Sequence, residues 1–183
     1  TKHRNGGAYT KTHVSRGARF MAEYLPTMGL GHIVPVCQRL VHFTGYELNP
    51  QEIESESGQE RLLGTLLGTA DLIAQMADVE YLRKCHDYLY AEFEAGGMAG
   101  ENGESGSMGI VYQSPQHLLE STPNFIREAI TVRLDGYFEG VYRYAGTYFG
   151  GPNLYMEAIA DNIVKLQELL ALRAQAPAAV DKR

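Results

Sequence analysis

Apolar residues recur three and four positions apart through most of the chain, and no segment alternates long enough to build a sheet. That spacing commits the polypeptide to helices, so the expected fold class is all-α. Thr12 is placed to cap a helix over 13–25 that Pro26 stops. A second helix is expected over 31–43, with Pro35 in its first turn and Gly45 at its end. An acidic connection, 47–58, carries one helical turn at 50–53 and leads to a helix over 59–76. Asp78 can cap a further helix, 79–94, with a core stripe of Val79, Leu82, His86, Leu89 and Phe93. Residues 1–95 thus form one helical domain. Gly96 to Gly109, GGMAGENGESGSMG, is too poor in apolar side chains to pack and too rich in glycine to be regular. The span 96–112 is therefore expected as a mobile linker or lid. Ser114 and Pro115 read as an N-cap and first-turn pair. A long helix, 123–148, presents Ile126, Ile130, Leu134, Tyr137, Val141, Tyr144 and Tyr148. Gly150, Gly151 and Pro152 reverse the chain into a helix over 154–173, whose Tyr155, Ile159, Ile163, Leu166 and Leu170 answer that stripe. The expected unit, 113–175, is an antiparallel helical hairpin packed on the first domain.

The stretch LLGTADLIAQMAD, residues 66–78, carries the clearest chemical signal. At helical period Leu63, Leu67, Asp71, Ala74 and Asp78 share one stripe, which Leu62, Leu66, Ala70, Ile73 and Ala77 broaden. Asp71 is then expected to point inward, where an unpartnered carboxylate costs several kcal/mol unless ion-paired, hydrogen-bonded or bound to a metal. The plainer alternative is an Asp at the stripe's edge, bonded to a backbone N–H or an Arg. Gly64 and Gly68, one turn apart, leave room for a neighbouring backbone on the same side.

A formal charge of -6 leaves no basic surface for nucleic acid and disfavours an anionic membrane as partner. Cys37 and Cys85 have no CxxC spacing and read as structural thiols of a reducing compartment. With no membrane-length apolar run and no signal-peptide pattern, the expected location is cytoplasmic. The sequence begins at Thr1 with TKHRNGGAYTKTH, which reads as a loop already under way, so the start of the domain is expected upstream.

His13 opens the first helix and His42 closes the second. With an inward Asp71 they make a donor mixture that suits a catalytic divalent metal, and three packed helices can bring such donors together. The segments THVSRGARFMAEYLP, 12–26, and HIVPVCQRLVHFTGY, 32–46, followed by LLGTADLIAQMAD, resemble the HD-domain metal-dependent phosphohydrolases. The resemblance covers about residues 2–93. That superfamily is all-α, with ligands in the order His, a His-Asp pair and a late Asp, and two intermediate histidines in two-metal members. His13 matches the first intermediate histidine, with Gly17 as the small residue a turn later. His42 matches the second, and Asp71 the late Asp. The leading His and the His-Asp pair do not precede His13 in this sequence and would belong upstream of Thr1. His42 is followed by Phe43, where two-metal members often carry paired histidines.

The resemblance implies an HD-type helical bundle that hydrolyses a phosphomonoester or phosphodiester, such as a nucleotide, with a divalent metal (Mn, Mg, Fe, Co, Ni or Zn). Asp71 would be the catalytic metal ligand, and His13 and His42 would hold a second metal or, in its absence, the substrate phosphate. Lys2 and Arg4, beside His3, and Arg16, with Arg19 one turn on, are candidates to bind the substrate phosphate. The literal His86-Asp87 dipeptide lies within LRKCHDYLY, with His86 on the core stripe and Asp87 facing away, and reads as a satisfied core histidine beside a surface Asp. The reading of a different class is a catalytically inactive HD-fold module that binds a nucleotide or a protein partner. Oligomeric state stays open, a homodimer included.

Overall fold

The computed structural model describes residues 6–100 and 111–175. Every regular element among them is helical: α1 (His13–Thr27), α2 (Val34–Val41), α3 (Gly58–Met76), α4 (Tyr81–Lys84), α5 (Tyr90–Ala95), α6 (Pro115–Glu128), α7 (Tyr144–Phe149) and α8 (Leu154–Gln175). The one extended pairing among the described residues is an isolated bridge between Ala99 and Tyr112. The all-α reading therefore stands, and no single helix among the described residues is long and apolar enough to cross a membrane.

The start of α1 is fixed by a residue far along the chain. Thr12 makes no side-chain cap bond. Instead the Glu47 carboxylate accepts the N–H of Val14 at 2.7 Å, the N–H of Ser15 at 3.1 Å and the Ser15 hydroxyl. An anion here answers the unpaired N–H groups and the positive end of the helix dipole. Pro26 does not stop α1. It rides inside the last turn, and the chain leaves the helix at Gly29, whose φ of 76° allows Leu30 to donate back to the Leu25 carbonyl.

α3 begins as a cap of Ser57 and Glu60. The Ser57 hydroxyl accepts the Glu60 N–H at 3.1 Å, and Glu60 reaches back to the Glu56 N–H at 3.3 Å. The same carboxylate receives Arg39 of α2 through two nitrogens, at 2.5 and 3.1 Å, which ties α2 to α3. The buried face of α3 is Gly64, Thr65, Gly68, Thr69, Leu72, Ile73 and Met76. Leu63 and Leu67, expected on the core stripe, are 48% and 42% exposed. Glycine decides this: a Cβ on Gly64 would lie 2.5 Å from the Phe43 ring, and one on Gly68 2.5 Å from the Phe43 carbonyl oxygen. The absence of two side chains lets Phe43, fully buried, sink against the helix, and the leucines opposite face outward.

The expected helix 79–94 is interrupted by a π-helical turn, Cys85–Leu89, and the pair α3 and Tyr81–Ala95 meets at 89°. Val79 lies in the turn before Tyr81 and is 76% exposed, while Tyr81 and Cys85 are buried. The expected long helix 123–148 is likewise broken. α6 passes into a π-helical segment, Ala129–Tyr137, and then reverses at Glu139 and Gly140, whose φ values are 55° and 69°. The Thr131 hydroxyl bonds the Arg127 carbonyl at 2.9 Å within this stretch, the kind of side-chain bond that loosens a helical ladder. α8 packs most extensively on α3. Asn162 of α8, 2% exposed, donates to the carbonyls of Met76 and Asp78 at 2.9 Å each, closing the end of α3. The flanks of the glycine-rich span are held in place: Gly100 donates to Tyr112, and Tyr112 stacks on Phe93 at 5.6 Å. Residues 101–110, the middle of the expected lid, lie outside the described residues.

Candidate functional site

Three elements meet where α1 begins. The turn Gly6–Thr12 leads into α1 and lies on α5, the turn His42–Thr44 packs on α3, and the Glu47 clamp draws the chain after Gly45 onto the first turn of α1. The contact is tight, since a Cβ on Gly45 would lie 2.5 Å from a Val14 methyl. This packing brings the first residue of α1, His13, into the neighbourhood of Asp71 on α3.

Asp71 is half-buried at the edge of the α3 face rather than pointing into the core. Desolvation raises its pKa above the usual carboxylate range, while a bond from Gln75 and the fields of His13 and Arg133 work the other way. It forms no ion pair among the described residues. His13 is exposed, with Nδ1 2.7 Å from the Thr10 carbonyl, which leaves Nε2 for other partners. The ring lines a cavity of about 470 Å³ with Thr10, Asp87, Tyr88 and Glu92. His42 is part-buried, and its buried Nδ1 has no hydrogen-bond partner. Glu47, close to His13, is raised by desolvation but held net below its usual value by Ser15, the α1 N–H groups and the His13 charge.

Among the described residues no three His, Cys, Asp or Glu side chains form a group that could hold a metal ion. His13 and Asp71 interact electrostatically, yet with His42 they do not make a coordination shell. The basic candidates divide in the same way. Lys2 and Arg4 lie outside the described residues. Arg16 is exposed, with its guanidinium 3.5 Å above the Tyr9 ring. His86 is not a core residue, because the π-turn leaves it part-exposed with Nδ1 2.8 Å from the Asp87 carboxylate. Asp87 shares the cavity with His13. Cys85 is pushed up to about 11 by burial and is a packing thiol.

The periodicity reading overlooked Arg133. It sits in the π-helical segment at 7% exposure, donates to the carbonyls of Phe43 and Gly45 at 3.1 and 2.8 Å, and stacks 4.0 Å over the Tyr46 ring. It therefore fixes the backbone that follows His42. The signal was a lone arginine between Val132 and Leu134 on an otherwise apolar stretch.

The Npun_R2479-like family matches residues 2–144, and the chain belongs to that family. No curated protein and no solved structure matches it.

Proposed function

We propose that this member of the Npun_R2479-like family is an HD-type helical domain whose chemistry is metal-assisted hydrolysis of a phosphoester, a nucleotide being the favoured substrate class. In this reading the C-terminal helices serve as the packed hairpin of the bundle, and the protein works in the cytoplasm. The observation that carries the proposal is Asp71. It is a half-buried carboxylate with a raised pKa, coupled to a histidine whose second ring nitrogen is free, and His42, in the turn that packs on α3, has an unpartnered buried nitrogen. Groups left in that condition are characteristic of functional sites.

The described residues fall short of a three-donor site, so no chemical step is routed here through a metal. What the chain's own groups can do is narrower. Asp71 can hold a cation or a proton at its carboxylate, and His13 Nε2 can donate to or accept from a ligand entering the cavity above it. Arg133 acts as a positioning residue, holding the His42–Gly45 backbone in register with α3.

That same shortfall favours a second reading, a catalytically inactive module of the same fold that binds a nucleotide or a protein partner. One experiment separates the two. Calorimetric titration of chelator-treated protein with Mn²⁺ is paired with hydrolysis of bis-p-nitrophenyl phosphate. Saturable binding that Asp71→Asn weakens by orders of magnitude, with turnover lost in parallel, supports the enzyme. Absence of both binding and turnover in the unaltered protein sinks it and leaves the module.

A further inference from the structure

A second cavity, of about 280 Å³, is lined in part by Arg133 and the Tyr46 ring on which it stacks. Its lining includes Tyr46, Leu48, Phe125, Glu128, Val132 and Arg133. We propose that this pocket binds a small acid: one compact anionic group, carboxylate or phosphate monoester, on an apolar body the size of a single ring.

The charge argument comes first. Arg133 is 7% exposed, yet among the described residues no carboxylate lies within ion-pairing distance of it. Its Nε is buried with no partner, and its two carbonyl acceptors, Phe43 and Gly45, are neutral. Asp71 acts on it only as a field without contact. Hydrogen bonds to these carbonyls and to the Tyr46 hydroxyl solvate the guanidinium but leave its charge unneutralised, and a counter-anion would complete it. It is also the sole cation among the lining residues.

The walls specify the rest of the ligand. Phe125, Leu48, Pro50, Ala129 and Val132 line the cavity, and of the lining residues Tyr46, Leu48 and Val132 are 43%, 43% and 40% exposed. An exposed apolar rim around one buried polar anchor is the usual make-up of a small-molecule site. The volume is at the low end for such sites, which limits the body to one ring. Glu128, exposed on the rim, repels any ligand carrying a chain of further negative charges, so a triphosphate is disfavoured. This inference does not depend on the hydrolase reading and survives its failure.

The test is calorimetric titration of the full chain with benzoate, phenyl phosphate, phenol and inorganic phosphate. At least one of the two ring-bearing acids should bind at least about tenfold more tightly than phenol and than inorganic phosphate, the scale of one charge-assisted hydrogen bond. Which acid binds more tightly distinguishes carboxylate from phosphate. Val132→Trp, at an exposed position, should fill the pocket and weaken binding by at least about tenfold with an unchanged melting temperature. Arg133→Lys should weaken it similarly. Because Arg133 also braces the backbone and this variant can unfold, Glu128→Gln serves as the second arm and should tighten binding. Acids that bind no better than phenol, or binding unaffected by Val132→Trp, would overturn the proposal.

Discussion

Replacing Glu47 tests whether one carboxylate organises the start of α1 and, with it, the position of His13. In Glu47→Ala the N–H groups of Val14 and Ser15 lose their acceptor, and Val14 is 2% exposed, so water replaces it poorly. Hydrogen bonds to a charged group contribute about 1.5–3 kcal/mol, and the helix dipole adds about 0.3–1. Glu47 is only part-buried, so solvent screening reduces the expected loss to about 1–2 kcal/mol. For a chain of this size that is a fall of about 2–8 °C in melting temperature by circular dichroism. The pH dependence is the sharper part. The carboxylate is held below its ordinary value of 4.5, so its contribution is present above that value and fades as pH falls through the lower, folded value. The stability gap between the parent and Glu47→Gln should therefore be present near neutral pH and close as pH falls below about 4.5. A gap that is the same at every pH, or Glu47→Ala melting with the parent, would refute the clamp.

Gly68→Ala should destabilise the fold by about 1–3 kcal/mol despite alanine's better helix propensity, because the new methyl meets the Phe43 carbonyl oxygen 2.5 Å away; thermal melts decide the sign. Asn162→Ala leaves the buried Met76 carbonyl without a partner, while the Asp78 carbonyl keeps the Tyr81 N–H, and should cost about 1–3 kcal/mol in urea unfolding. Asp71→Asn should melt no lower than the parent in chelator near neutral pH. A raised folded-state pKa means that stability is lost as pH rises through it, and the amide removes that loss. A clearly lower melting temperature would instead make Asp71 a structural ion pair.

Much of the fold was legible because capping and period are local. Ser114 does cap α6, accepting the His117 N–H at 3.0 Å, and α3 spans Gly58–Met76 against an expected 59–76. The misreadings have long-range or cumulative causes. Thr12 was a reasonable cap by type, but Glu47, distant in sequence, competes for the same N–H groups and adds a charge. The break at Cys85–Leu89 carries no sequence punctuation, since a π-turn needs neither glycine nor proline, and the segment Ala129–Tyr137 has a glycine, Gly136, only near its end. The hairpin stripe from Ile126 to Tyr148 assumed one uninterrupted period. Once the chain reverses at Glu139 and Gly140, the residues after it point elsewhere, and Tyr148 is 86% exposed.

The candidate site was legible through its glycines more than through its acid. Gly64 and Gly68 announced a close approach, and the backbone and ring of Phe43 fill it. That contact fixes which side of α3 faces inward. Successive residues on a helix are turned by about 100°, so with Gly64, Gly68 and Leu72 buried, Asp71 falls at the margin of the face. The leucines 63 and 67, read as the core stripe, pass to solvent by the same rotation. A carboxylate at a margin can be partly desolvated and still meet a ligand, whereas one at the centre of the stripe would be neutralised or sealed in. The glycines, by letting Phe43 set the rotation of the helix, thus place Asp71 where it has a raised pKa without being enclosed.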